Sequence, residues 1–137
     1  MPIESFDESI IVAENDSMMR GLLRTVLARN GRSLLLCVDG AEAVDLAAQT
    51  LAALVLLDLR MPRLDGLEAC RQIRALPRYQ MVPIVIVTVF DGETTERKVS
   101  RAGATAFLAK PFSRDQLLRT IDPLIEARKR AWDAGLG

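Results

Sequence analysis

The sequence predicts an α/β domain: a five-stranded parallel sheet, doubly wound by helices in five successive βα units. Short apolar runs rich in β-branched residues alternate five times with amphipathic stretches of helical period. Those runs are continuous, the pattern of strands covered on both faces and not on one. The length of 137 residues, 50% of them hydrophobic and 26% charged, suits one globule that buries a core without covalent staples.

Ile10-Ile11-Val12-Ala13 opens the pattern as a buried strand. Met18, Met19, Leu22, Leu23, Val26 and Leu27 then recur at helical spacing, with Met18-Met19 expected in the core and Asn30-Gly31 as the stop. Leu34 to Val38 reads as strand two. Asp39-Gly40 leads into helix two, carrying Ala43, Val44, Ala47, Ala48 and Leu51. Leu54 to Leu57 is strand three and ends on Asp58. Asp65-Gly66 precedes helix three (Leu67, Cys70, Ile73), and Pro77 and Pro83 bracket a loop. Ile84 to Val89 is the most β-branched segment. A polar helix over Thr94 to Ala102 and a short strand over Ala106 to Ala109 follow. The last helix begins near Ser113 with Leu117, Leu118, Ile121, Leu124 and Ile125 on one face. Pro123 would remove its hydrogen bond to the Arg119 carbonyl, so a kink or restart is expected there, with 123–132 as a partly separate basic turn ending near Trp132. The chain thus divides into an N-terminal extension (1–8), a domain (9–126) and a C-terminal helical tail (127–137).

Composition excludes several chemistries. The chain has no histidine, which removes Ser-His-Asp and Cys-His nucleophiles, most zinc sites and histidine as a general base. Cys37 and Cys70 lack metal-ligand spacing and read as small core residues. The longest apolar run, Leu51 to Leu57, is far too short to span a bilayer. The acidic N-terminus does not read as a secretory signal, so a cytoplasmic protein with no membrane partner is expected. Net charge is zero but unevenly spread. Residues 1–96 carry 14 acids and 9 bases, and residues 97–137 carry 4 acids and 9 bases. Neither the balance nor the 4% of aromatics indicates a nucleic-acid module.

In doubly wound folds ligands sit at the carboxyl ends of the strands. Here those ends carry Glu14-Asn15-Asp16, Asp58, Thr88-Val89 and Lys110-Pro111. Crowded carboxylates require a positive partner: Lys110, a divalent cation, or both. Oxygen ligands alone favour Mg²⁺ or Mn²⁺. Such a set suits phosphoryl chemistry, with Asp58 as acceptor, the cation and Lys110 neutralising phosphoryl oxygens, and Thr88 donating a hydrogen bond. Asp16 is expected to cap the first helix and Asp65 to stabilise the turn before the third.

LVLLDLRMPRLDGLEACRQIR at 54–74, PIVIVT at 83–88, Ala102-Gly103-Ala104 and FLAKPF at 107–112 occur in that order. Over residues 9–126 the chain resembles the receiver domain of two-component response regulators, including the single-domain chemotaxis type. The resemblance implies the flavodoxin-like receiver fold and a signalling role in place of an enzymatic one. It implies that Asp58 takes a phosphoryl group from a phosphohistidine on a sensor histidine kinase or a histidine phosphotransfer protein. Mg²⁺ would bind Asp58, the side chain of Asn15 and the backbone carbonyl of Arg60, with Glu14 acting through water. Thr88 and Lys110 would read the phosphoryl oxygens, Phe107 would pack inward as Thr88 moves, and Lys110-Pro111 would be a cis peptide. Output would run through the fourth helix, fifth strand and last helix to a downstream protein or a second copy of the chain, with no direct nucleic-acid contact.

Two positions depart from the family pattern. Asn15 stands where a second acid is usual, which removes one negative charge and should weaken Mg²⁺ binding. Val89 stands where a small residue is favoured and should slow phosphotransfer. These departures motivate an alternative, a non-phosphorylated pseudo-receiver acting as an interaction module. An aspartate-nucleophile phosphohydrolase fits less well, since Arg60 occupies the place of its second acid.

Overall fold

The computed structural model describes residues 6–28, 32–89 and 92–135. Strands Ile10–Ala13 (β1), Leu34–Cys37 (β2), Leu54–Asp58 (β3), Ile84–Val89 (β4) and Ala106–Lys110 (β5) form one parallel sheet in the order β2-β1-β3-β4-β5. Helices Ser17–Leu27 (α1), Gly40–Gln49 (α2), Gly66–Arg74 (α3), Glu93–Arg101 (α4) and Arg114–Asp133 (α5) connect and follow them, and a 3₁₀ turn at Pro77–Tyr79 interrupts the loop before β4. The expected doubly wound sheet is present.

Continuous apolar strands serve two cores. Ile11, Ala13, Val55, Leu57, Ile84 and Ile86 face α2, α3 and α4, where Ala43, Ala47, Ala69, Cys70, Ile73 and Val99 meet them. The alternate residues Ile10, Val12, Leu54, Leu56, Val85 and Val87 face α1 and α5, covered by Leu23, Val26, Leu27, Leu117, Ile121 and Ile125. Period-two alternation along each strand divides the side chains between the layers. Each fully buried aliphatic contributes about 1.5–3 kcal/mol relative to exposure. Cys37 and Cys70 are buried as expected, and burial is the main reason that their thiols are pushed up to about 12 and about 11.

Several sequence expectations need correction. Met18 is 83% exposed and Leu22 50% exposed; Met19 alone of the methionine pair packs on the core. On a helix of 3.6 residues per turn, Met18 and Leu22 lie roughly a quarter turn or more from the face set by Leu23, Val26 and Leu27. Leu51 lies beyond the end of α2, and Val38 beyond β2. Pro123 neither splits nor restarts the last helix, which runs unbroken from Arg114 to Asp133, so 123–132 is no separate turn. Pro123 and Arg119 are both exposed, so water can satisfy the carbonyl that proline leaves unpaired, while buried Ile121 and Ile125 hold the helix on the sheet. Of the basic end, Lys129 and Arg130 are exposed but Arg128 is buried. The Asn30-Gly31 stop lies outside the described residues; α1 ends at Leu27 with Ala28 as its cap.

The first described residues meet the end of α5. Phe6 lies against Trp132, with ring centroids 6.1 Å apart. Arg32, its side chain buried, pairs with Asp122 of α5 at 2.8 Å and with Glu8 at 3.5 Å.

One arginine organises the segments that lead into the amino ends of β4 and β5. Arg74, the last residue of α3, donates to the carbonyls of Gly103, Tyr79, Gln80 and Val82 and to Thr105 Oγ1, at 2.7–3.3 Å. Several of these acceptors are partly buried and lose their donor together if Arg74 is truncated. Arg74→Ala is expected to lower unfolding stability by about 2–4 kcal/mol, and Arg74→Lys by less, in chemical denaturation. A loss below about 0.5 kcal/mol would mean that solvent already serves those carbonyls.

Candidate phosphoryl-acceptor site

The strand order reverses between β1 and β3, so the carboxyl ends of these neighbours border the crevice that a parallel sheet offers to ligands. Glu14 follows β1 directly and Asp58 closes β3. Both are buried, at 3% and 8% exposure. Lys110, the last residue of β5, reaches over β4 to both: its Nζ is 3.0 Å from Glu14 Oε1 and 3.5 Å from Asp58 Oδ2. Glu14 Oε2 accepts from the Asp16 amide at 3.0 Å, and Asp58 Oδ1 from the Arg60 amide at 3.4 Å. Lys110-Pro111 is cis.

The crowding of two buried carboxylates beside one ammonium shows in Asp58 and in Lys110. Burial first, then the adjoining Glu14 carboxylate, push the Asp58 carboxyl up to about 6, against the pull of Lys110 and the Arg60 amide. For Lys110 burial acts downward, yet the Glu14 hydrogen bond and the charges of Asp58 and Glu14 outweigh it and hold the ammonium above its ordinary range. Lys110 is therefore charged at neutral pH. One ammonium shared by two carboxylates leaves the cluster short of positive charge.

Local structure explains how Asp58 is presented. The Leu59 amide continues the ladder to the Val87 carbonyl at 2.9 Å, and the chain then turns back so that the Gly66 amide bonds the Leu59 carbonyl at 2.8 Å. A Cβ on Gly66 would stand 2.3 Å from the Asp58 carbonyl oxygen, so only glycine permits this approach. Asp65 caps α3 through the Glu68 amide, and Asp16 caps α1 through the Met18 amide, the structural roles expected of both. Within the same turn Arg63 is left-handed (φ 66°), and its Nε lies 3.4 Å from the buried Asp39 Oδ2.

Thr88 is buried near the end of β4, in register with Ala109 and next in chain to Val87, the partner of Asp58. Val89, at 63% exposure, pairs with Lys110 at the mouth of the site. Phe107 packs half-buried against the α2–α3–α4 core. Asn15 is exposed and, with Arg60, lines a groove of about 640 Å³ that continues past Met61 and Asp65 to Thr95 and Lys98 of α4.

The donors fit a hard divalent cation. Among the described residues no three acidic, histidine or cysteine side chains converge. The groups expected to serve a cation, two carboxylates, an amide carbonyl and a main-chain carbonyl, would offer oxygen donors only, the set that Mg²⁺ takes together with water.

The sequence model of the response regulator receiver domain family matches residues 10–122. The chain belongs to this family. A response regulator MprA from Mycolicibacterium vanbaalenii is 40% identical over 128 residues, covering 93% of this chain and 54% of that protein. Among solved structures, the receiver domain of a sensor histidine kinase from Pseudomonas aeruginosa, with a magnesium ion coordinated in its active-site cleft, superposes with a TM-score of 0.81 at 30% identity. That match covers 88% of this chain and 99% of the other. The chemotaxis protein CheY4 of Vibrio cholerae shares the fold, with a TM-score of 0.81, 24% identity, and 87% and 99% coverage. This receiver domain spans about half the length of the curated relatives it matches. Those relatives lend no support to the expectation that its output involves no nucleic acid. No helix among the described residues is long and apolar enough to cross a membrane.

The strand-end signal brought Glu14, Asp58 and Lys110 to attention, and the structure brings all three into contact. Sequence reasoning missed the close approach at Gly66 and also Arg20, whose Nη1 donates to the carbonyls of Glu14 and Asn15. An arginine on a helix gives no local sign that it turns back to the preceding strand end. The Asp65-Gly66 pair marked a turn but not the backbone against which that turn packs.

Proposed function

We propose that this receiver domain takes a phosphoryl group onto Asp58 from a phosphohistidine on a sensor histidine kinase or phosphotransfer protein, in the cytoplasm, and relays the change to a downstream protein. The observation that carries the reading is the Lys110 ammonium held 3.0 and 3.5 Å from two buried carboxylates at the switch point of the sheet. An Asp58 oxygen forms the new O–P bond while the N–P bond of the donor breaks, and the released imidazole takes up a proton from water. Lys110 is placed to follow the arriving charge, exchanging part of its contact with Glu14 for a phosphoryl oxygen. The Thr88 hydroxyl donates to another. Asp58, Asn15 and the Arg60 carbonyl, with Glu14 through water, would hold Mg²⁺ (or Mn²⁺), which when bound would supply neutralisation of charge on the phosphoryl oxygens. Family resemblance and the oxygen-only donor set support that assignment.

Phosphorylation adds nearly two negative charges at Asp58. Drawing Thr88 and Lys110 inward biases the ends of β4 and β5, and Phe107 follows on the side packed toward α4. The output face comprises α4, β5 and α5. Its exposed Arg97, Lys98, Arg101, Arg114 and Arg119 suit an acidic partner surface, or a second copy of the chain.

Incubation with acetyl phosphate, with and without Mg²⁺, is expected to add the mass of one phosphoryl group in intact-protein mass spectrometry only when Mg²⁺ is present. The neutral Asn15 and the exposed Val89 favour a second reading, an interaction module that is not phosphorylated. In that case neither Mg²⁺ nor beryllofluoride gives a saturable response, and the proposal fails.

A further inference from the structure

We infer that Arg20 is a positioning residue for the cation site, acting through the main chain of the turn between β1 and α1. The inference rests on the Mg²⁺ reading above. Arg20 stands in the second turn of α1, and its guanidinium turns back toward the end of β1. Nη1 donates to the Glu14 carbonyl at 2.7 Å and to the Asn15 carbonyl at 3.0 Å. These consecutive residues carry the side chains assigned to the cation from this strand.

The remaining groups of Glu14 are already held. Its amide bonds the Cys37 carbonyl of β2 at 3.1 Å, and its side chain bonds Lys110 and the Asp16 amide. Its carbonyl is what Arg20 holds. Asn15 differs, because its side chain is exposed and lines the groove beside Arg60. Fixing the carbonyls on both sides of the Asn15 Cα fixes the two peptide planes that aim its side chain. A neutral amide attracts a divalent ion less than a carboxylate would, so this position depends more on being aimed than on charge. Arg20 therefore offsets part of the weakness that Asn15 introduces.

The sign of the effect separates positioning from charge. By Coulomb's law alone, removing a nearby cation tightens binding of a divalent ion. Loss of an aimed ligand weakens it. Arg20→Met keeps the stem and removes the donors; Arg20→Lys keeps a charge but offers an ammonium in place of the planar guanidinium.

Isothermal titration of the folded proteins with MgCl₂ alone is expected to show Kd raised about tenfold in Arg20→Met, the lower range for groups that support a metal ligand, and less in Arg20→Lys. Acetyl phosphate labelling should then need more Mg²⁺ to reach its midpoint while recovering the parent rate at saturation. An unchanged or tighter Kd in Arg20→Met, with thermal stability in EDTA reduced, overturns the inference and leaves Arg20 a purely structural clamp. Should Arg20→Met fail to fold, a parent-like Kd and midpoint in Arg20→Lys with parent stability overturns it equally. A parent protein with no saturable Mg²⁺ response overturns the cation assignment itself, and this inference with it.

Discussion

Asp58→Asn is expected to abolish labelling by acetyl phosphate or a partner kinase and, at the same time, to stabilise the Mg²⁺-free protein near neutral pH by about 1–3 kcal/mol. The first effect follows because an amide cannot take the phosphoryl group. The second follows from crowding. Burial and the neighbouring Glu14 push the Asp58 carboxyl from 3.8 to about 6, so folding favours its protonated form. That contribution is fully present below the unfolded value near 3.8 and is lost as pH rises through about 6. Above it the parent must hold two carboxylates against a single ammonium, a strain that asparagine removes. The stability difference between variant and parent should grow as pH rises from about 4 to about 7, and Mg²⁺ should shrink it by stabilising the parent. Thermal unfolding across that range in EDTA, repeated with Mg²⁺, gives the measurement. A variant less stable than the parent at neutral pH would show that Lys110 more than compensates both acids. Persistent labelling of the variant would remove Asp58 as acceptor.

Gly66→Ala should have an effect of comparable size by a steric route. The added Cβ would meet the Asp58 carbonyl oxygen at 2.3 Å, with Leu59 Cα at 2.9 Å, and both are backbone atoms where β3 passes into the loop that follows the acceptor. Neither can rotate away, so α3 must move off the strand or the loop must shift. The cost should be about 3 kcal/mol in chemical denaturation. Mg²⁺ affinity should also fall, because the Arg60 main chain lies in the displaced segment. Gly21→Ala is the control: nothing stands within 4 Å of its Cβ position, so it should leave both properties near those of the parent or raise helix stability slightly. Equal stability of the Gly66 and Gly21 variants would mean that the β3–α3 turn adapts freely.

The sheet, its five βα units and the faces of most helices were legible along the chain. Burial repeats with the period of each element, and the runs at Ile10–Ala13 and Leu54–Leu57 carry that period plainly. The polar residues that interrupt the apolar runs, Glu14, Asp58 and Lys110, were legible for a related reason: a parallel sheet gathers its strand ends on one edge. Their mutual distances were not. Lys110 and Glu14 stand 96 positions apart, and that the ammonium sits nearer Glu14 than Asp58 depends on the register of β5 beyond β4. Met18 and Leu22 looked like core because apolarity marks a residue type, whereas exposure depends on where a helix rolls against its sheet. Pro123 looked like a break because a local rule says nothing of the packing that carries a helix past it. Arg20 and Arg74 were silent for the same physical reason. A long cationic side chain reads as solvated unless the carbonyls it can reach are known, and only the folded chain brings those carbonyls within hydrogen-bonding range.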